Sequence, residues 1–226
     1  MAKLNWDEAD KHIYTTGTSH GILQVKGQAK AVAWNGLIGV TATPAGADEN
    51  KFYANNNKYL GLRGVETFGG TIKAYDRPDE FEECDGSKAI MPGLSIHQQT
   101  RMPFNFSWQT IKGNDSKLDE YGYEIHIAYN CTASPSARDY TTVNESPAPL
   151  EMSWEFQTTP VSVGGFKPTS YVTIDSTKIA PAKLTKITDA LYGTATVDAK
   201  IPSIDDLLAI MRAFSRNLSV LLLRPS

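Results

Sequence analysis

The chain is short of nearly everything that marks a catalytic or metal-binding protein. Its 226 residues include 2 cysteines and 4 histidines. Cys84 and Cys131 lie in different segments and form no CxxC pair, so neither a zinc knuckle nor a disulfide scaffold is suggested. Two free thiols in a reducing cytosol are expected. His12, His20, His97 and His126 share no metal-ligand spacing such as HExxH. There is no GxSxG elbow and no GxxxxGK[ST] loop. The Gly-containing stretch 64–70 is followed by no Lys-Ser/Thr and precedes a strand rather than a helix, so it offers no phosphate cradle.

Long apolar runs are missing as well. The longest, Leu218 to Leu223, falls far short of the ~20 residues a membrane-spanning helix needs. The first eight residues are polar and turn acidic, with no apolar region of the kind a secretory signal carries. Sequons such as Asn105-Phe-Ser107 are then chance. Cationic excess is absent too: 22 Lys and Arg stand against 25 Asp and Glu, a formal charge of −3. With a pI near 5.8 the chain is not a grip for duplex DNA. No repeat and no Gly/Ser or Pro-rich linker divides it.

What is present is strand. A 41% hydrophobic and 21% charged composition, with mean hydropathy of −0.32, describes a soluble globular chain. Phe104, Phe106 and Trp108 alternate with Asn105, Ser107 and Gln109. Tyr123, Ile125, Ile127, Tyr129 and Cys131 alternate with Glu124, His126, Ala128 and Asn130. Leu150, Met152, Trp154, Phe156 and Thr158 alternate with Glu151, Ser153, Glu155 and Gln157. Period two predicts strands with one buried face in an antiparallel sheet. Weaker strand signals cover 11–15, 21–25, 31–40, 70–75, 93–99 and 169–174. Many strands at short spacing suggest a sandwich or barrel.

Three short helices are expected between them. One starts at Asp76 as N-cap and ends at Asp85-Gly86. A second spans Pro181 to Tyr192, stopped by Gly193. A third opens at Ser203, with Asp206 three residues on as a capping box. The acids of the first (Asp76, Asp79, Glu80, Glu82, Glu83, Asp85) suit a dipole-favoured helix start and lack EF-hand spacing. Cys84 among them is expected to have a raised pKa. Arg138, Asp139 and Tyr140 have no base beside them.

The stretch 43–58 shows no period. Roughly fifteen residues is long for a structureless loop, and Phe52, Tyr53, Tyr59 and Leu60 are apolar for a solvated tip. A contact role and a plain surface loop both remain open. With no recognisable site, the residues point to an interaction or structural protein rather than an enzyme.

Ordered strings then carry a resemblance. Lys3-Leu-Asn-Trp-Asp-Glu8, Tyr14-Thr-Thr-Gly17, Ala33-Trp-Asn-Gly-Leu37, Tyr53-Ala-Asn55 and Lys58-Tyr-Leu60 come first. Thr71-Ile-Lys-Ala-Tyr75, Pro78-Asp-Glu-Phe81, Cys84-Asp-Gly86 and the run from Pro92 to Arg101 follow. Tyr121-Gly-Tyr123, Ser134-Pro-Ser136, Asn144-Glu-Ser-Pro147, Ser153-Trp-Glu155, Lys167-Pro-Thr169 and Ile174-Asp-Ser-Thr177 complete the series. Taken in order, they resemble the major tail tube proteins of long-tailed (siphovirus-type) bacteriophages of Gram-positive hosts, as far as about Met211. The resemblance implies a tail tube β-sandwich domain over 1–211, with an N-terminal arm and the 43–58 contact loop. It carries no role onto the tail, 212–226.

The same resemblance implies hexameric rings stacked around a channel, an inner sheet shared between neighbours, and DNA passing through without specific binding. Tape-measure and tail-end proteins would be partners, and the virion tail the location, after synthesis in the host cytoplasm. No cofactor, metal or membrane is implied. Phe52, Tyr53, Tyr59 and Leu60 are the candidates for contacts between subunits or rings. Glu124, Glu151 and Glu155 are the candidates for a channel wall that repels phosphate. A tube subunit of a contractile injection or secretion-type system, delivering protein, is the alternative.

Overall fold

The computed structural model describes residues 4–46, 48–143 and 145–212. The Leu221–Leu223 run and the rest of the tail beyond 212 lie outside them, as does Asn144. Fourteen strands are formed among the described residues: β1 (Tyr14–Val25), β2 (Val32–Trp34), β3 (Leu37–Gly46), β4 (Glu49–Ala54), β5 (Asn57–Arg63), β6 (Glu66–Ala74) and β7 (Lys88–Met91) come first. Next are β8 (Leu94–Ile96), β9 (Phe104–Asn114), β10 (Leu118–Ala133), β11 (Met152–Thr158), β12 (Val161–Val163), β13 (Phe166–Thr169) and β14 (Tyr171–Asp175). The helices are α1 (Glu82–Asp85), α2 (Pro181–Tyr192) and α3 (Ile204–Arg212).

The expected mainly β, antiparallel fold is what forms. One sheet runs β2-β1-β9-β10-β11-β6-β3, with β14 also on β10. Strand β10 turns this sheet into a sandwich. Its residues Glu124 to Ala128 pair with β9 on one side and β14 on the other, while Cys131 to Ala133 pair with β11. The two halves belong to two layers. The first holds β2, β1, β9, β10 and β14, and the second holds the end of β10 with β11, β6 and β3. Between the layers lie Leu23, Trp34, Ile72, Phe104, Phe106, Trp108, Trp154 and Phe156. Trp34 packs edge-on against Trp154, with ring centroids 5.5 Å apart, and Phe81 meets Trp154 at 5.3 Å. Such pairs add to simple area burial.

The prediction of one buried face fails at the middle of β10. Ile125, Ile127 and Tyr129 are buried beneath Ile187 and Leu191 of α2 and Ile204 and Leu207 of α3. His126 and Ala128, on the opposite face, are buried too. Alternation identifies the strand but cannot show that helices formed more than fifty residues later return to cover its second face. A β-bulge also breaks the period. Asn130 has φ 51, the register shifts between Ala128 and Cys131, and Cys131 joins the aromatic core rather than the Tyr129 side.

The strand expected over 31–40 is divided at Asn35-Gly36, where Gly36 has φ 70. The helix expected from Asp76 starts later. Asp79–Phe81 forms a 3₁₀ turn behind Pro78, which makes no side-chain cap, and the Asp76 carboxylate accepts instead from the Arg77 N–H. Gly86, at φ 82, ends α1 as expected. The capping box at Ser203 forms fully: the Asp206 N–H donates to Ser203 Oγ and the Ser203 N–H to the Asp206 carboxylate, each at 3.2 Å.

The 43–58 stretch is not a structureless loop. Strand β3 runs on to Gly46 paired with β6, and beyond it β4 and β5 pair from Glu49↔Arg63 to Ala54↔Asn57. Asn55 and Asn56 close this hairpin, both at positive φ. That is the type I′ geometry whose twist matches the flanking strands, and Asn tolerates it. A bulge between Phe52 and Tyr53 hides the period in the sequence.

Candidate functional site

The β4–β5 hairpin is an arm that nothing else among the described residues covers. Its strands pair only with each other, and nearly every residue is exposed. Phe52 is 49% exposed, Tyr53 68%, Tyr59 78% and Leu60 43%. Cross-strand register sorts them. Asn50↔Leu62 and Phe52↔Leu60 put Phe52, Leu60 and Leu62 on one face. Glu49↔Arg63, Lys51↔Gly61 and Tyr53↔Lys58 put the charges and Tyr53 on the other, where Lys58 and Glu49 form an ion pair. Tyr59 is the bulged residue. The arm is thus two-faced, apolar on one side and charged on the other, with both sides open.

The three candidate channel acids do not form one cluster. Glu155 is exposed on the outer face of the second layer, opposite Thr71, with Ser153, Gln157 and Lys73 around it. Glu151 is exposed just before β11 begins. Glu124 is half-buried in β10, between Thr110 of β9 and Asp175 of β14. It leaves the first layer on the side away from α2 and α3, and Glu155 leaves the second layer in the same general direction. The polar row Asn105, Ser107 and Gln109 lies on the helix side instead. Ser107 is buried, and Gln109 accepts a hydrogen bond from Tyr192 Oη of α2 at 2.9 Å. These residues seal a helix contact because Ile22 and Ile127, their neighbours in the sheet, belong to the helix-side core.

Around Glu124 a buried polar network limits the sandwich. His126 accepts or donates at both ring nitrogens, to Thr110 Oγ1 at 2.9 Å and Tyr171 Oη at 2.7 Å. Its ring stacks on Trp108, and Tyr171 stacks on Phe68. Burial lowers the His126 pKa against the opposing pull of Glu124. Burial would raise the Asp175 carboxyl, but the Lys112 ammonium and two bonds from Thr177 outweigh it and bring its pKa to about 2.

A second polar cluster joins segments the sequence keeps apart. Ser87 Oγ lies 2.6 Å from Asp85 Oδ1 and 2.9 Å from His97 Nδ1. The other Asp85 oxygen takes an ion pair from Arg138 at 2.9 Å, across 53 residues, and faces Arg77 at 3.8 Å. The order is wrong for nucleophilic catalysis. The carboxylate sits on the serine rather than behind the histidine, and Ser87 is buried. Asp85 and Glu82, two of the acids around the first helix, are held by arginines. Among the described residues no group of three or more His, Cys, Asp or Glu could hold a metal ion. The Cys84 thiol is pushed up to about 12, mainly by burial and then by Glu83 and Asp85. No helix among the described residues is long and apolar enough to cross a membrane.

Sequence reasoning missed one surface. Strands β7 and β8 form a small hairpin of their own, turning at Pro92-Gly93, with Ile90, Met91, Leu94 and Ile96 all exposed. Its signal was four large apolar residues around a Pro-Gly turn.

No family model matches the chain, and no curated protein matches it significantly. Among solved structures it is similar to a chain of the SPP1 tail tube, determined by solid-state NMR and cryo-EM. That likeness has a TM-score of 0.35 and 10% identity, and covers 79% of this chain and 88% of that one. It is also similar to a chain of the sheath–tube complex of PVC, an extracellular contractile injection system, in its extended state. There the TM-score is 0.31 at 10% identity, with 69% of this chain and 88% of that one covered. At these scores and identities the likenesses carry no argument about function.

Proposed function

We propose that the chain is a structural, non-enzymatic subunit of a phage tail tube, assembling into hexameric rings that stack around a channel for DNA ejection. The observation that carries this reading is the arm. A two-stranded hairpin is marginal by itself in water, yet here it holds Phe52, Leu60 and Leu62 open to solvent. Such a surface needs a partner, and a tube supplies one in every neighbouring copy. The sheet asks for the same. Strands β3 and β14 leave edges open, and joining them between copies removes a template for aggregation. The ordered sequence blocks support the phage form of this reading.

In that tube Phe52, Tyr53, Tyr59 and Leu60 make contacts between subunits or rings, and Glu124, Glu151 and Glu155 line the channel. A wall that repels phosphate lets DNA slide, whereas a cationic one would hold it. Tape-measure and tail-end proteins complete the assembly in the virion tail. Electron microscopy of the purified chain tests the reading. Tubes of stacked rings are expected, and a monodisperse monomer at every concentration would overturn it. Whether the tubes pass DNA or protein, which separates a phage tail from an injection system, is read by Glu124→Lys/Glu155→Lys in assembled tails. DNA exit should slow at low salt and recover at high salt.

A further inference from the structure

The arm has a chemical counterpart in the next hairpin along the chain. A shallow groove of about 650 Å³ runs along the β7–β8 hairpin, bounded by Asp79, Glu82, Ala89, Ile90, Met91 and Pro92. Its floor is apolar and open: Ile90 is 54% exposed and Met91 63%. Its rim is acidic. Residues 76–85 carry six acids against the single cation Arg77. Glu82 and Asp85 are committed to arginines, while Asp79, exposed at the rim, makes no ion pair among the described residues. Lys88, at the base of β7, is the hairpin's own cation. The arm is the reverse. From Glu49 to Arg63 it carries Lys51, Lys58 and Arg63 against the one acid Glu49, which pairs with Lys58, beside an apolar face of Phe52, Leu60 and Leu62.

We propose that the β4–β5 arm of one copy seats in the β7–β8 groove of a second copy, its apolar face on Ile90 and Met91, with Lys51 reaching past the edge of the arm to Asp79 at the rim. This rests on the self-assembly reading above and assigns it a receptor. Both elements present the right material: flexible methionine packs well against aromatic rings, and complementary charge fixes register and excludes the reverse docking. Arm and groove are different surfaces, so the contact is heterologous. Each copy then offers one of each to its neighbours, and the contact propagates rather than closing a two-fold pair.

Full-length variants separate the two halves. Phe52→Ser/Leu60→Ser spoils the arm and keeps the groove, and Ile90→Ser/Met91→Ser does the opposite. All four residues are exposed, so thermal melts should match the parent. By light scattering each variant alone should stay at one unit size, monomer or single ring. Their equimolar mixture should associate into larger species, because one arm and one groove remain intact. Lys51→Glu should weaken assembly at least about tenfold, and Asp79→Lys in the same chain should restore it. Normal assembly by the Ile90→Ser/Met91→Ser variant, or a mixture that stays at unit size while the parent assembles, would overturn the proposal. Association in the mixture, with no tubes from the parent, would instead sink the tube reading and leave the arm-and-groove contact standing.

Discussion

The middle of β10 and the β4–β5 arm are both strands with large apolar side chains, and they have opposite fates. Ile125, Ile127 and Tyr129 lie beneath two helices, while His126 and Ala128, one residue out of phase, face the second layer of the sandwich. The arm has neighbours on neither face among the described residues. Burying a large apolar side chain stabilises by about 1.5–3 kcal/mol. The β10 segment therefore draws its stability from within the chain, and the arm cannot. The difference separates residues that hold the chain together from residues left open for the contacts proposed above.

The comparison breaks most severely at Trp154. It is 2% exposed and meets the rings of Trp34 and Phe81. Trp154→Ala should cost ~3–5 kcal/mol, read by denaturant unfolding. A loss below ~1 kcal/mol would mean that the aromatic layer does not carry the fold.

A smaller effect is expected from acid. Asp175, with a carboxyl at about 2 in the folded chain, contributes stability that is fully present above its unfolded value near 4 and is lost as pH falls toward 2. Its size is at most about 2 kcal/mol after solvent screening, and it should shrink in the pH profile of Lys112→Met, where the two bonds from Thr177 remain. His126, buried with a lowered pKa, acts at a higher range. Its neutral form is favoured on folding, so stability declines as pH drops through the ordinary histidine value near 6.5. Unfolding followed from pH 8 down to about 1.5 should show both declines. The upper one should be absent in His126→Gln.

The smallest effect belongs to the arm, and its smallness is the point. Tyr53→Ser/Tyr59→Ser should change the subunit's stability by under ~0.5 kcal/mol, as exposed positions do, while reducing assembly in sedimentation. A large loss of stability with assembly intact would place the arm in the fold instead of the interface.

Much of the fold was legible from residues alone. The β9, β10 and β11 ladders, helix α2 with its Gly193 stop, and the Ser203/Asp206 box depend on local chemistry, with periods and caps a few residues long. The candidate assembly residues Phe52, Tyr53, Tyr59 and Leu60 stood out for the same local reason, as apolar side chains among asparagines. What reached further was not legible. The bulge at Asn130 moved Cys131 to the other face, and the bulge beside Phe52 disguised a hairpin as a loop. Only the folded chain could lay α2 and α3 over Ser107 and Gln109, turning a presumed polar face into a helix contact. It alone brought Arg138 to Asp85 and left Ile90 and Met91 uncovered. Local sequence sets which face of an element is apolar; what covers that face depends on segments tens of residues away, and tertiary packing decides it.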